Sequence, residues 1–196
     1  MNRILILFAH PALEKSRVQR RLLKAAETVE GVTIHDLYEV YPDFMIDVPN
    51  EQSLLLEHDL ILFQHPFYWY SCPSLLKEWQ DLVLEYGFAY GRGGDALEGK
   101  TLGSIISSGG SRMSYSSEGR NNYSMKELLQ PFHQTATLCG MNYLPPFTVH
   151  RTHDMHESVI EEHAELYRQV LWRLQRDLPS QEDFSSLEYL NDWTAN

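Results

Sequence analysis

The sequence predicts an α/β protein in which helices cover both faces of a five-stranded parallel sheet. Two observations lead to this fold class. Short apolar segments with the length of buried strands recur along the 196 residues, and amphipathic segments separate them. Strands that alternate with helices form βαβ units, which build parallel sheets. No repeat or linker interrupts the pattern, so we expect one domain over residues 1–178 and a tail over residues 179–196.

The predicted strands are rich in β-branched and other apolar residues. The first of them, RILILFA, is apolar from its second residue on, as expected of a strand that is buried on both faces. A proline-containing stretch, NYLPPFTVH, supplies the fifth. The five strands are predicted over residues 3–9, 32–37, 59–64, 101–108 and 142–150.

The predicted helices begin at polar residues whose side chains accept hydrogen bonds from first-turn N–H groups. Ser16 and Asn50 have this place in two helices, and Asp154, three residues before Glu157, has it in the last one. Pro131 is expected to kink the helix that contains it. The helices are predicted over residues 16–30, 50–56, 73–86, 125–140 and 154–177.

Composition and charge exclude several classes of protein. The formal net charge is −11, and no basic face of the kind that binds nucleic acid is evident. No segment approaches the ~20 apolar residues of a membrane span, and the N-terminal apolar run is too short for a signal peptide. Cys72 and Cys139 form no Cys-x-x-Cys pattern, which fits reduced thiols. We therefore expect a soluble cytoplasmic protein that is at most peripheral to a membrane.

Three loops follow the predicted first, third and fourth strands. They comprise residues 10–16, 65–73 and 107–119. The carboxyl ends of parallel strands meet at one edge of the sheet, and ligands of such folds bind in the crevice there. We therefore expect the three loops to share one site.

The first loop has no Gly-x-Gly-x-x-Gly sequence, which argues against a dinucleotide-binding Rossmann fold. It places His10 at the end of a strand and Ser16 at the start of a helix, with Lys15 and Arg17 beside it. Backbone N–H groups at a helix N-terminus bind phosphate, and these side chains could assist them. An ordinary capped helix with solvated basic residues explains the same pattern equally well.

The second loop carries four consecutive aromatic residues between Pro66 and Pro73. A turn that only reverses the chain would use glycine, asparagine or aspartate. Flat apolar side chains with backbone donors nearby suit the ring of a flavin. Alternatively, the aromatic residues cover the end of the sheet or form a dimer interface. The third loop adds Gly109 and Gly110, which let a ligand approach the backbone closely.

Three other motifs are not expected to form sites. Residues 94–101 have the spacing of a phosphate-binding P-loop, but a strand follows where a P-loop requires a helix. His150, His153 and His156 straddle a strand end and a helix start, so their imidazoles are not expected to converge on a metal. Cys72 has no adjacent base that would activate it as a nucleophile.

Several segments, in order along the chain, resemble the flavodoxin-like NAD(P)H:quinone oxidoreductase family, and within it the ancillary proteins of glutathione-regulated potassium-efflux systems. They are LILFAHP, HDLY, FQHPFYWYSCPSLLKEWQDLV, GFAYGRGGDALEGK and SSGGS. LYEVYPDFMIDVPNEQ and CGMNYLPPF resemble the ancillary branch in particular. The resemblance runs from about residue 3 to residue 177 and leaves the tail outside.

The resemblance implies a flavodoxin-like fold with strand order 2-1-3-4-5, a homodimer, and FMN or alternatively FAD at the sheet edge. It implies NAD(P)H as co-substrate, a quinone as acceptor, and, in the ancillary branch, binding to the cytoplasmic side of a potassium-efflux antiporter. The cofactor-binding residues that it implies are His10, Ser16, Arg17, Val18 and Gln19 for the phosphate, Phe67, Tyr68, Trp69 and Tyr70 for the ring, and Ser107, Ser108, Gly109 and Gly110 after the fourth strand.

Two positions depart from the family pattern. Gln19 stands where the family has asparagine, so its amide is on a longer arm. Quinone reductases of the family pair a tyrosine with a histidine six residues later, and here the catalytic pair is Tyr115 and Asn121. Asparagine cannot carry a proton, so we expect measurable but modest quinone reduction. A regulatory module of the antiporter with incidental redox activity is the alternative, and a one-electron carrier like flavodoxin is a third interpretation.

Overall fold

The computed structural model describes residues 1–178, 184 and 187–193. The strands are β1 (Ile4–Phe8), β2 (Val32–Asp36), β3 (Leu60–Pro66), β4 (Thr101–Ser107), β5 (Asn142–Tyr143) and β6 (Phe147–Val149). The helices are α1 (Arg17–Ala26), α2 (Leu37–Val40), α3 (Val48–Glu57), α4 (Ser74–Val83), α5 (Met125–Leu128), α6 (Gln130–Leu138) and α7 (Glu157–Arg176). Part of the predicted tail, residues 179–183, 185–186 and 194–196, lies outside the described residues.

The strands form one parallel sheet in the order β2-β1-β3-β4-β5, and β6 also pairs with β4. The predicted fold class and strand order are therefore confirmed. The prediction of one continuous strand over residues 142–150 was wrong, because the segment is divided into β5 and β6. Pro145 and Pro146 lie between them and have no N–H group to donate to β4.

Two apolar cores lie on the two faces of the sheet. Every residue of β1, β3 and β4 is buried, and successive side chains point to opposite faces. Ile4 and Ile6 pack with α1 and α7, whereas Leu5 and Leu7 pack with α3, α4 and α6. This burial on both faces explains why the three central strands have continuous apolar sequences.

The start of α1 agrees with the prediction, and the start of α3 differs from it. Ser16 caps α1 as predicted, but α3 begins at Val48 with Asp47 as its cap, not at Asn50. The Asp47 carboxylate accepts a hydrogen bond from the Asn50 N–H at 3.2 Å. The register that this cap sets also places a proline within the first turn of α3, where the missing N–H costs nothing.

The predictions for the last two long helical segments were also partly wrong. The cap of α7 is His156 rather than Asp154, since His156 Nδ1 accepts from the Ser158 N–H at 3.3 Å. The predicted kink at Pro131 is a complete break, and α6 starts anew with this proline in its first turn. No helix within the described residues is both long and apolar enough to cross a membrane.

Candidate functional site

Two neighbouring clefts open at the carboxyl edge of the sheet, where ligands of doubly wound folds bind. The first cleft lies among the loops after β1, β3, β4 and β6 and has a volume of about 400 Å³. The second lies between the loops after β3 and β4 and has a volume of about 320 Å³. Phe67 lines both clefts, so they are adjacent. The three loops that the sequence predicts to share a site do meet here.

The N-terminus of α1 forms one end of the first cleft. Ser16, Arg17 and Val18 line it, together with Lys15. The N–H groups of Arg17 and Val18 have no acceptor inside the helix, because they belong to its first turn. The Arg17 guanidinium, however, turns to Glu157 at 2.6 Å, so Lys15 carries the positive charge that faces the cleft. The arrangement suits an anion.

His10 lies at the bottom of the first cleft and is almost fully buried. Its Nδ1 accepts a hydrogen bond from the Ala12 N–H at 3.1 Å, which leaves the proton of the neutral ring on Nε2. Burial lowers the pKa of His10, while Glu14 opposes the shift. His10 is therefore a neutral donor, and its ring packs edge-on against Tyr68 at 6.2 Å.

Gln19 does not line either cleft. Its side chain is fully buried, and Nε2 donates to the His65 carbonyl oxygen at 3.1 Å and to Ser107 Oγ at 3.0 Å. Gln64 Nε2 donates to Gln19 Oε1 at 2.9 Å, and Tyr167 donates in turn to Gln64 at 2.8 Å. The longer arm thus reaches into the sheet and connects α1 with β3, β4 and α7 below the cleft.

The aromatic turn after β3 holds two residues in the left-handed region. Trp69 has φ 50° and Tyr70 has φ 63°, and such conformations cost roughly 1–3 kcal/mol each in non-glycine residues. Tyr68 and Ser71 pair across the turn. Phe67 and Tyr68 face the first cleft, and Phe67, Trp69 and Tyr70 face the second. Strain of this kind concentrates at functional sites.

The residues after β4 divide between the clefts. Ser107 and Gly109 line the first, and Gly110 lines the second. Ser108 faces neither, because its hydroxyl bonds to His150 Nδ1 at 3.1 Å. A Cβ at Gly109 would lie 2.6 Å from Nε2 of the exposed His153 side chain, which would have to move aside.

Tyr115 and Asn121 both line the second cleft. The Tyr115 ring packs edge-on against Phe67 at 6.0 Å and is itself buried. Asn121 Oδ1 accepts a hydrogen bond from the Tyr70 hydroxyl at 3.3 Å. Arg120, which the sequence analysis did not single out, is a basic side chain in the same lining. The second cleft is therefore an aromatic slot with polar groups at its rim.

A family model described as the flavodoxin-like fold matches residues 2–171. The chain belongs to the flavodoxin-like family. It is similar to curated relatives named glutathione-regulated potassium-efflux system ancillary protein KefG. The relative from Serratia proteamaculans (strain 568) is 48% identical over 165 residues, which make up 84% of this chain and 90% of the relative.

Two solved structures of flavodoxin-like proteins are similar in both fold and sequence. The general stress protein 14 of Treponema denticola, solved in complex with FMN, is 40% identical with a TM-score of 0.84, over 88% of this chain and 99% of that chain. The NADPH-quinone reductase from P. pentosaceus is 36% identical with a TM-score of 0.78, over 85% and 96% respectively. The family that the sequence motifs predicted is therefore confirmed.

The loop after β6 also borders the clefts, although its histidines were not predicted to form a site. Thr152 and His153 line the first cleft, and His150 lies behind the second, with its ring 5.6 Å from that of Tyr115. The signal was present, because β6 ends at the same edge as β1, β3 and β4. The three histidines of this stretch have separate roles: His150 bonds to Ser108, His153 covers Gly109, and His156 caps α7.

The P-loop-like segment lies at the opposite edge of the flavodoxin-like sheet, where β4 begins at Thr101. Lys100 Nζ donates to the His58 carbonyl oxygen at 2.6 Å and so satisfies the end of α3. Cys72, the other residue set aside, is half-buried, and burial raises the pKa of its thiol. Neither residue lines the two clefts.

Two histidines beneath the clefts are held neutral. His65 is fully buried, its Nδ1 lies 3.0 Å from the Pro66 carbonyl oxygen, and its Nε2 has no partner among the described residues. Burial lowers the pKa of His65 to about 4. Burial, together with the positive charge of Arg112, lowers the pKa of His150 to about 4 as well.

We expect the free energy of unfolding of the cofactor-free protein to fall as the pH drops from about 6.5 to 4. An unfolded histidine binds its proton near pH 6.5, while these folded ones do so only near pH 4, so the unfolded state binds more protons in this window. At pH 5 each of the two should cost roughly 2 kcal/mol. Urea unfolding at pH 7.5 and 5 measures the loss. His65→Phe should recover roughly 2 kcal/mol of it, and an unchanged loss in the variant would contradict the assignment.

Proposed function

We propose that the protein is an FMN-dependent NAD(P)H:quinone oxidoreductase that works by ping-pong hydride transfer, with FAD as the alternative cofactor. The observation that carries the proposal is the shared wall at Phe67, which joins a cleft whose lining suits an anion to an aromatic cleft. The FMN complex of the relative from Treponema denticola supports the cofactor. The quinone reductase from P. pentosaceus supports the reaction.

The residues of the two clefts fit FMN. A phosphate suits the first cleft, because the free N–H groups of Arg17 and Val18 and the Lys15 ammonium surround it. Gly109 has no side chain and so lets a ligand approach the backbone of the first cleft closely. The flat ring suits the aromatic residues that begin at Phe67. Ser16, Gly110 and the turn 67–70 remain the proposed cofactor contacts, whereas Gln19 and Ser108 support them from behind.

FMN, when bound, supplies the acceptor and donor of the hydride. The chain's own part is to position the two reactants in turn at the second cleft, since hydride transfer depends mostly on alignment. The rings of Phe67 and Tyr70 form its aromatic walls. We assign the proton at this site to the Tyr115 hydroxyl. Asn121 offers an amide hydrogen bond but no proton.

Steady-state kinetics test the proposed function. NAD(P)H oxidation by purified protein should require both FMN and a quinone such as 1,4-naphthoquinone. Double-reciprocal plots at several quinone concentrations should be parallel, because the first product leaves before the quinone binds. Oxidation by protein freed of its flavin that is independent of added FMN or FAD would contradict the proposal, and intersecting lines would contradict the ping-pong order.

A role at a membrane system forms the second part of the proposal. The relatives named glutathione-regulated potassium-efflux system ancillary protein KefG support a role as an ancillary subunit of such a system. We place this subunit on an antiporter, at the cytoplasmic side of the inner membrane. Trp69 is 93% exposed and Met113 is 84% exposed, both near the second cleft. Exposed apolar side chains of this size favour a protein contact, either in a homodimer or with the antiporter.

The competing candidate is a regulatory module whose redox activity is incidental, and the replacement of the family histidine by Asn121 favours it. The two are separated by potassium efflux from vesicles that contain the antiporter. A variant that cannot bind FMN should fail to activate efflux if the redox state matters. Activation that survives the loss of FMN supports the regulatory module.

Lys100→Ala should leave the affinity for FMN unchanged within about twofold, because Lys100 lies at the far end of the sheet. It should lower the free energy of unfolding by about 1–2 kcal/mol, since a charge-assisted hydrogen bond to the His58 carbonyl is lost. Calorimetric titration with FMN and with ATP, and urea unfolding, measure these effects. A micromolar ATP affinity that depends on Lys100 would show that the P-loop spacing is functional.

A further inference from the structure

The C-terminal clamp, residues 187–193, lies against β6 and outside the span of the family match. Asn191 bonds twice to the backbone of Thr148: its Oδ1 accepts from the N–H at 2.8 Å, and its Nδ2 donates to the carbonyl oxygen at 3.2 Å. The Leu190 N–H donates to the Pro146 carbonyl oxygen at 2.9 Å. The clamp is therefore fixed to the strand that ends beside the clefts.

Arg112 joins the clamp to the loop that carries Tyr115. Its guanidinium donates to both carboxylate oxygens of Asp192 at 3.1 and 2.7 Å and to Glu188 at 2.9 Å. It also lies 4.3 Å above the centre of the Tyr189 ring. The Tyr115 N–H in turn donates to the Arg112 carbonyl oxygen at 3.1 Å. A bidentate ion pair restricts the arginine strongly, and therefore the turn that follows it.

A second connection runs through aromatic rings. Tyr189 is 1% exposed, and its edge packs on His150 with ring centres 5.5 Å apart. His150 lies against Tyr115 at 5.6 Å and is held by Ser108 at 3.1 Å. The Tyr189 hydroxyl has no hydrogen-bond partner among the described residues. The packing of the ring, and not a hydrogen bond of the hydroxyl, therefore holds Tyr189 in this position. The contacts are continuous from the clamp to the wall of the second cleft.

We propose that the C-terminal clamp positions Tyr115, with Arg112 and Tyr189 as positioning residues that act through the turn 112–114 and through His150. The inference rests on the proposed function, in which Tyr115 holds the proton at the second cleft. It gives a role to a part of the chain that the family match does not reach. The ion pairs set where the turn lies, and the Tyr189 ring keeps water from the back of Tyr115.

The clamp also sets the environment of His150. The charged and titratable groups that bear on this imidazole are Arg112 from the β4 loop, Glu188 and Tyr189 from the clamp, His163 from α7, and Tyr115. Removing the Tyr189 ring admits water, which solvates the charged form of the His150 imidazole. The imidazole can then bind a proton near pH 6. An imidazolium next to Tyr115 would then disturb the hydroxyl that the reaction uses.

The experiment compares Tyr189→Ala with Tyr189→Phe in full-length, FMN-loaded protein. Three quantities are measured: the pKa of His150, the rate constant with which NAD(P)H bleaches the flavin absorbance, and the affinity for FMN. The pKa is taken from the NMR signals of the imidazole, which the His150→Gln variant assigns. In Tyr189→Ala, the pKa of His150 should rise from about 4 to above about 5.5, and the rate constant should fall about tenfold while FMN affinity changes less than threefold. Tyr189→Phe should match the wild type.

A double-mutant cycle distinguishes an effect on the position of Tyr115 from a general loosening of the structure around the clefts. In a Tyr115→Phe background, Tyr189→Ala should cause no further loss of rate, because the hydroxyl that it positions is absent. Arg112→Gln breaks the ion pairs without opening a cavity and should reproduce the tenfold loss if Tyr189→Ala fails to fold. Arg176→Ala is its control, since Arg176 also lies over an aromatic ring, that of Trp172, far along α7.

Two outcomes overturn the inference. One is an unchanged His150 titration and an unchanged rate constant in the folded clamp variants. The other is an equal loss of rate in the Tyr115→Phe background. If the wild type is not bleached by NAD(P)H, the proposed function fails, but the His150 titration in Tyr189→Ala still decides whether the clamp controls the back of Tyr115.

Discussion

Ser16→Asp should weaken the binding of FMN by at least about 100-fold. Ser16 lies at the N-terminus of α1 in the wall of the first cleft, where we place the phosphate. A carboxylate there repels the phosphate, and two unit charges ~4 Å apart near a protein surface interact by roughly 4 kcal/mol. Fluorescence titration of the cofactor-free protein with FMN measures the affinity.

Ser16→Asn is the matched control. In the wild type, Ser16 Oγ accepts a hydrogen bond from the Gln19 N–H at 3.1 Å. Asparagine and aspartate cap helices equally well, so both variants keep an acceptor for this N–H group. Only the aspartate adds charge, and the asparagine variant should lose less than about tenfold. Equal affinities of the two variants would place the phosphate somewhere other than the first cleft.

Tyr115→Phe should lower the rate constant of flavin reduction by about 100-fold, since the loss of a proton donor costs ~10²–10⁴-fold. The phenylalanine keeps the ring contacts with Phe67 and His150, so the cleft should keep its shape. Asn121→His should raise the rate constant several-fold, because an imidazole can carry the proton that the amide cannot. Stopped-flow absorbance after mixing with NAD(P)H measures both.

Tyr123→Phe is the control for the loss of a hydroxyl in the same loop. Tyr123 is exposed and lines neither cleft, so its variant should reduce the flavin at the wild-type rate. FMN affinity is measured in parallel for each variant. If Tyr115→Phe and Asn121→His leave the rate constant unchanged with FMN bound, Tyr115 has no catalytic role and the regulatory module becomes the better account.

The central sheet could be predicted from the sequence because strands that are buried on both faces have a recognisable sequence pattern, a continuous apolar run. β1, β3 and β4 are apolar runs bounded by turns, and their parallel pairing follows from the helices between them. The last strand was harder, since Pro145 and Pro146 interrupt it without ending the sheet. A pattern rule cannot separate one strand with a break from two strands.

The helix starts could not all be predicted, because general capping preferences do not select one residue among several candidates. Asp47 and Asn50 are both good caps, and Pro49, two residues after Asp47, was the signal that should have selected Asp47. The cap of α7 is different, because histidine is not among the favoured residues. His156 caps that helix through Nδ1, and no rule read from Asp154 and Glu157 would have found it.

The position of the site could be predicted, but the direction of individual side chains could not. Ser16 follows from the cap and the helix N-terminus, both of which are local. Gln19 turns inward because Gln64 and Ser107, distant along the chain, offer it buried partners. Trp69 and Tyr70 lie in the aromatic turn as expected, but their positive φ values depend on the turn as folded.

A single-turnover experiment tests the central claim, that the two clefts together hold a flavin which NAD(P)H reduces and a quinone reoxidises. Protein reconstituted with FMN is mixed anaerobically with one equivalent of NAD(P)H and then with a naphthoquinone, while absorbance near ~450 nm is followed. We predict that the absorbance bleaches in the first step and returns in the second. A protein that stays colourless with excess FMN and FAD, or that binds FMN and is not bleached by NADH or NADPH, would contradict the account.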